Sequence, residues 1–579
     1  MAPAIVRGNT QVVLEGRGTV TIRPSDHIAT GGEGSIYRVG DSVVKMYLDP
    51  KEMRQKGIPD KLKILSGFNH SYVVSPRGLV FSLAGDPVGF YMPYVDGDPL
   101  SRVFTNEFWQ KEGFTNQNAS TLVDRMRQVV DFAHSQNALL VDANELNWFA
   151  SRRKSEPEPH VVDVDSWALG RWPASVIMPS IRDWHAKTFD HKTDWFSWGV
   201  VTFQIYTGLH PYKGTLDGFD RGNLEGRMKA GASVFSSGVR LNRAVRDFSA
   251  IPAPLLSWYE ATFQKGERQR PPSPFDTGLT VPLAAKVMRT VTTSKSGVLV
   301  FEKLLSRPND SVVRLFHCGV VLLASGALVD VATKRQISTA SSRACEVVKV
   351  DDGWLVADLM NQQTIFQYVE EGSLKLTLLD LSLKARSVLR YENRLFAVTE
   401  NGLTEVKMHL LGKPIVSVGK TWGVMTNSTR WFNGCGVQDA MGATFVVVPF
   451  SDSSLILVRV AELDGLRVVA GSAGNRFVSV VCLDRAGEYQ KFDLFFGGDY
   501  KSHRISKEKA DGPELNVAIL PKGVCATIVE DGQMKIFVPS NGQVNQIDDR
   551  TIATDMSLSN WGDRVTYILN GDLWSLRMK

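Results

Sequence analysis

The segment LLVDANELNWFA (139–150) sets Asp142 and Asn147 five residues apart between apolar runs. An Asp held in a loop can take a proton from an attacking hydroxyl. An Asn oxygen is a hard ligand suited to magnesium. Sixteen residues beyond Asn147, HVVDVDSWAL (160–169) is an apolar strand ending in Asp163-Val164-Asp165, a further source of hard oxygen ligands. Upstream, ATGGEGSIYRV (29–39) carries Gly31, Gly32 and Gly34, then Ile36, and leads to an apolar strand holding Lys45. A Gly-rich turn between strands lets backbone N–H groups approach phosphates, because no Cβ intervenes. A Lys on the next strand can reach phosphate oxygens as a point charge. Each piece alone also occurs as plain structure: a hairpin, a loop, a strand end.

These residues need elements to hold them. In STLVDRMRQVVDFAHSQ, Leu122, Met126, Val129, Val130 and Ala133 fall at helical spacing, so the stretch is expected to be a helix with one apolar face. TDWFSWGVVTFQIYTGLHPY is apolar on nearly all sides, as a helix at a domain centre would be, and Gly208 and Pro211 mark its end. PPSPFDTG (271–278) reads as an exit loop. The character changes near residue 275. From about 295, short apolar strands are separated by Gly, Asn and Asp, as in GVVLLASGALVDV and NRFVSVVCLDRAGEYQKFDL. Each unit reads as strand, tight turn, strand. The units recur roughly every 35–48 residues, which suggests a six- or seven-bladed β-propeller, with a pair of β-sandwiches as the alternative. Residues 1–25 read as a strand segment that joins either the first domain or the last blade.

HSQNALLVDANELN resembles, without gaps, the helix-to-catalytic-loop segment of protein kinases, with Asp142 at the catalytic Asp and Asn147 at the metal-binding Asn. Asp163-Val164-Asp165 occupies the place of the Asp-Phe-Gly magnesium motif. DWFSWGVVTFQIYTGLHPYKG (194–214) resembles the central helix of the kinase large lobe, and ERQRPP (267–272) its late Arg-Pro element. Asp-x-Asn-Glu-x-Asn followed by Asp-x-Asp-Ser is similar to divergent bacterial and phage kinase-like proteins. The resemblance implies an α+β bilobal protein-kinase-like domain over 26–275, with a small lobe to about 95 and a large lobe from about 96. A linker at 276–294 and the all-β domain at 295–579 follow. It further implies ATP and Mg2+. Asp142 would be base or orienter, and Asn147 and Asp163 metal ligands. Lys45 would hold phosphates under Gly31, Gly32 and Gly34. Ile36 and the backbone around Tyr91, Met92 and Tyr94 would meet the adenine, and Ser35 would lie near the phosphates.

The chain departs from that pattern at several places. Leu140 stands where a structural His is usual, Ala29 replaces the first loop glycine, and Asn144 replaces the loop Lys that helps neutralise the transferring phosphate. Lys61 falls where the helix Glu that pairs with the strand Lys is expected, so the partner of Lys45 is unassigned. Asp165 replaces the Gly of the magnesium motif, and 177–187 lacks an Ala-Pro-Glu anchor.

Composition narrows the remaining choices. The 579 residues are too many for one core and carry a net charge of +5 without a Lys/Arg run, which gives no argument for nucleic acid. There is no stretch of 18 apolar residues and no signal-peptide pattern near the first residues, so neither membrane spanning nor export is expected. The five cysteines lack zinc spacing and read as reduced thiols in a cytoplasm, that of a bacterium or a phage-infected cell. The expected function is an ATP/Mg-dependent protein Ser/Thr kinase whose propeller recruits a protein substrate or partner. The alternatives are a nucleotide-binding pseudokinase–propeller scaffold and a small-molecule kinase.

Overall fold

A computed structural model describes residues 8–153, 156–174, 176–220, 222–241, 244–276, 288–289, 299–338, 344–451, 454–528, 533–538, 543–547, 549, 552 and 556–579. The protein is multidomain, with a mixed α/β region followed by a series of four-stranded antiparallel sheets.

The first region opens with a curled, seven-stranded antiparallel sheet. Its spatial order is Gly18–Ile22, Thr10–Leu14, Gly78–Phe81, Pro87–Pro93, Ser42–Tyr47, Gly34–Val39 and His27–Thr30. The strand segment at 1–25 therefore joins this sheet, through Leu14 opposite Val80 and Val13 opposite Phe81, and not a C-terminal blade. Successive residues point to opposite faces. Val44 and Tyr91 pack with Val12, Leu14 and Tyr37 on one face, while Val43, Phe90 and Met92 pack with Leu62 on the other. The short helix Ile58–Leu65 lies on that second face and buries Lys61, Leu62 and Leu65.

Two helices centre the next segment. Asn116–Ser135 starts at a capping box between Thr115 and Asn118, and its five periodic apolar residues are all buried. His191–Thr207 is capped by Asp190 and stopped by Gly208 in the left-handed region. Every side chain from Thr193 to Thr207 is buried, which explains why its sequence shows no amphipathic stripe. Glu156-Pro157-Glu158, which reads as a solvated turn, lies instead within the strand Glu156–Val161. The linker at 276–294 falls largely outside the described residues; Met288–Arg289 pairs in parallel with Arg240–Leu241.

The C-terminal region holds seven four-stranded antiparallel sheets among the described residues. Six are built from consecutive strands. The seventh combines Leu299–Leu305 with the three strands Ser557–Trp561, Arg564–Leu569 and Asp572–Met578. The first strand of each consecutive sheet, and Ser557–Trp561 of the closing one, contributes to or directly abuts the wall of one shared cavity. This arrangement is consistent with a propeller. All five cysteines are unbridged.

The two regions share a core. Ala470, Val481, Leu483 and Tyr489 of the sheet Arg467–Ala510, the sixth when the sheet begun by Leu299–Leu305 is counted first, belong to the same buried cluster as Met178, Ile181 and Trp148.

Candidate active site

Lys45 sits in the middle of Ser42–Tyr47, a strand buried along its whole length. Its ammonium donates to Asp163 Oδ1 at 2.6 Å and to Asp165 Oδ2 at 2.8 Å. Tyr47, two residues on and therefore on the same face, donates its hydroxyl to Asp165 Oδ2 at 2.6 Å. From the helix Ile58–Leu65, Lys61 donates to the Asp165 backbone carbonyl at 2.6 Å. Sequence reasoning left the acidic partner of Lys45 unassigned. It is Asp165, with Asp163 beside it, while the helix position expected to carry a Glu carries a Lys that holds the backbone of the same aspartate.

The two carboxylates differ in exposure. The Asp163 side chain is 33% exposed and that of Asp165 only 2%. Asp163 can exchange a partner for an incoming ligand; Asp165 cannot reach one. Their ionisation differs in the same sense. Burial works against charge on Asp163, but the Lys45 ammonium overcomes it and holds the carboxyl below the usual carboxylate range. Burial pushes Asp165 up, with Lys45 opposing and the neighbouring Asp163 charge adding to the rise. Among the described residues Asp165 Oδ1 is buried without a hydrogen-bond partner. Lys45 itself is raised: burial lowers it, but the two aspartates more than compensate. Asp163 adopts the left-handed conformation at φ 60°, which costs a non-glycine residue of order 1 kcal/mol.

Asp142 and Asn147 lie in the loop after Ala138–Leu139. Asp142 Oδ1 accepts from Met178 N at 2.8 Å and from Asn144 Nδ2 at 3.1 Å. Burial raises its pKa, and those two donors oppose the rise. Asn147 Nδ2 donates to the Asp142 carbonyl at 2.7 Å, which leaves its Oδ1 as the acceptor end. Asn147 O in turn accepts from Val162 N at 2.9 Å, tying this loop to the strand that ends in Asp163. The loop is clamped from below. Asp194, in the first turn of His191–Thr207, accepts from Leu140 N and Val141 N at 2.9 Å each and contacts His134 Nε2 at 2.9 Å. Val141 is thereby kept at φ 57°, a conformation a β-branched residue rarely takes.

The Gly-rich turn closes with Gly31 N donating to Gly34 O at 2.8 Å. Gly31 and Gly32 have open space where a Cβ would be, while a Cβ on Gly34 would meet the Met46 carbonyl at 2.8 Å. Ile36, Met92, Tyr94 and Val162 share one apolar cluster that spans the sheet and the segment leading to Asp163. The side chains of Tyr91, Tyr94 and Ser35 have partners of their own. Tyr91 points to the opposite face and donates to Glu15 O at 2.9 Å. Tyr94 N donates to Asp41 O at 2.9 Å, and its ring lies under the Arg38 guanidinium. Ser35 is buried and bonded to Thr30 Oγ1 at 3.0 Å.

Two further groups support the site. Asp183 takes a bidentate pair from Arg268, at 2.6 and 3.0 Å, so the late Arg-Pro element has an anchor although no Ala-Pro-Glu is present. His185 and His191 do not converge on a metal: His185 contacts Met228 O, and His191 stacks on His134. The second support comes from the C-terminal region. Tyr489 OH donates to Glu145 Oε1 at 3.0 Å, within the loop that carries Asp142 and Asn147. Ser180 N donates to Ala486 O at 3.2 Å, two residues from Met178, whose N–H holds Asp142. Lys213 pairs with Glu488 at 3.3 Å. One hairpin of the sixth sheet thus braces both walls beside Asp142.

Tyr489→Phe is expected to keep the packing and lose about 1–2 kcal/mol of stability by removing one buried bond. Burial raises Glu145 above 4.5, and the Tyr489 bond opposes that rise. Stability from such a carboxyl falls as pH rises through its raised pKa, and the variant should steepen that fall. Urea denaturation should therefore show a larger deficit at pH 8 than at pH 5.

Among the described residues no group of three or more His, Cys, Asp or Glu side chains is placed to hold a metal by itself. Magnesium does not need one, since it keeps waters and takes one or two carboxylates with substrate phosphates. The site offers a carboxylate, an amide oxygen, an ammonium and a glycine turn beside an apolar cluster. Comparison with known families finds no model that matches the chain, and no curated protein shows significant similarity to it. The functional reading rests on this geometry.

Proposed function

We propose that the protein is an ATP- and magnesium-dependent protein Ser/Thr kinase. Its first region, including the N-terminal strand pair, is a bilobal kinase-like domain, and its seven sheets form a seven-bladed propeller that recruits a partner or substrate. The observation that carries the reading is the convergence of Lys45, Asp163, Asp142 and Asn147 from three separate elements, a strand, the segment after Glu156–Val161 and one loop. The adenine would lie against the cluster of Ile36, Met92 and Val162, under the turn of Gly31, Gly32 and Gly34. Phosphates would draw Lys45 from Asp163 while Asp165 keeps its hold on the ammonium. Asn147 Oδ1 and the freed Asp163 carboxylate would hold magnesium, which when bound neutralises charge on the phosphates. Asp142 would orient the acceptor hydroxyl and take its proton as the acceptor oxygen bonds to the γ-phosphorus and ADP departs.

A second reading, a nucleotide-binding scaffold without transfer, is favoured by one observation. Asn144 is turned onto Asp142, where a loop cation would otherwise stand. One experiment separates the two. Radiolabel transfer from ATP by the full chain, to itself or to a generic protein acceptor, should be magnesium-dependent. It should fall by about 10³-fold or more in Asp142→Asn and in Asp163→Asn, the scale of losing positioning and charge stabilisation. Nucleotide binding without label transfer would support the scaffold, and absence of binding would refute both.

A further inference from the structure

A second cavity lies away from the cleft. It encloses about 770 Å3, within the range of small-molecule sites. Its walls come from all seven C-terminal sheets and from the helix Asn106–Glu112 with Ala244–Arg246 of the first region.

Most of the charged groups facing it are already satisfied. Lys111 pairs with Glu107, and Arg314 pairs with Glu346 at 3.1 Å. Arg246 makes no direct ion pair among the described residues, though the Glu514 charge lies near it, and its donors go to Tyr206 O, Asn106 Oδ1, Phe104 O and Ile205 O. Glu514 accepts from Asn106 N.

Arg390 is the exception. Its guanidinium makes one hydrogen bond, from Nη1 to the Glu392 backbone carbonyl at 2.7 Å, and has no ion pair among the described residues. The rest of its fork of donors is unused. Beside it, His317 Nδ1 is 3.4 Å from Asn560 Nδ2. An amide that donates to Nδ1 leaves the proton on Nε2, a further donor. Burial lowers the pKa of Arg390, with Glu346 the main opposing charge, so the cation is under-compensated where it stands. Glu392 is exposed; it accepts from Arg390 through its backbone carbonyl, and its charge adds a smaller compensation than that of Glu346.

We propose that this cavity binds a small anionic molecule, bearing a phosphate or a carboxylate and up to nucleotide size, with Arg390 as its charge anchor and His317 as a second donor. A planar fork with donors free of protein partners among the described residues, at the wall of a cavity of this size, is the arrangement that takes such oxygens bidentately. The site is independent of the kinase reading, because none of its residues faces the cleft.

Thermal unfolding of the full chain with inorganic phosphate or with citrate tests it. The two probes distinguish phosphate from carboxylate chemistry. Wild type and Lys45→Met should show the same rise in unfolding temperature with at least one probe, and Arg390→Gln should lose it. His317→Trp, which fills the cavity and keeps the arginine, should also lose it, so a folding defect in Arg390→Gln alone leaves the test intact. A rise shared by all four chains is a general salt effect and overturns the proposal. So does a rise abolished by Lys45→Met, which assigns binding to the cleft, or no rise with either probe.

Discussion

Asp165→Gly should reduce phosphate transfer by about 10–100-fold, although it restores the glycine expected in a magnesium motif. The substitution strips Lys45 and Tyr47 of a shared acceptor at 2.8 and 2.6 Å. A charge-assisted bond of this kind is worth roughly 1.5–3 kcal/mol, which sets the size of the loss. Asp165→Asn should cost far less, because an amide oxygen still accepts at the same place and burial already favours the uncharged form of this residue. The double variant Lys61→Glu with Asp165→Gly moves the acidic partner to the helix and should recover part of the activity. Single and double variants compared by label transfer and nucleotide affinity check all three outcomes. If Asp165→Gly transfers as well as wild type, Asp165 is not the working partner of Lys45.

Asp194→Asn should cost about 3 kcal/mol of stability and most of the activity. An amide can accept from only one of the two backbone N–H groups that the carboxylate now holds, Leu140 N and Val141 N. The other is left buried without a partner, at about 1–3 kcal/mol. The clamp also maintains the left-handed Val141, so losing it lets the loop relax and carries Asp142 away from Met178 N. Adding Val141→Gly, which adopts that conformation freely, should restore activity more than stability. Denaturant titration and label transfer on the two chains check this. Equal recovery of both would show that the strain at Val141 is not what moves the loop.

The parts legible in the sequence were those with a local signature. Leu122, Met126, Val129, Val130 and Ala133 announced their helix by spacing, and all five are buried. The strand–turn–strand units announced the C-terminal sheets. Pairing across distance was not legible. Nothing near Arg268 names Asp183, 85 residues away, and nothing near Lys45 names Asp165, 120 residues away. The N-terminal strands gave no hint of their sheet, because edge pairing is made by backbone. Tyr91 could have been placed from period two. Phe90 and Met92 share a face with Val43, so Tyr91 must turn to the other. Ser35 looked like a phosphate neighbour by sequence adjacency, but its hydroxyl serves the hairpin.

The strand Leu299–Leu305 pairs with Asp572–Met578, so the sheet that opens the C-terminal region is completed by strands far along the chain. On a ribosome adding about 5–20 residues each second, the first region would emerge and begin to fold well before Asp572–Met578 exists. During that interval the sheet begun by Leu299–Leu305 is unfinished, whereas the sheet Arg467–Ala510 that carries Tyr489 already has all four of its strands. The sheet that opens the region is thus completed last, while the hairpin that braces the Asp142 loop through Tyr489 is local and has all its strands by Ala510.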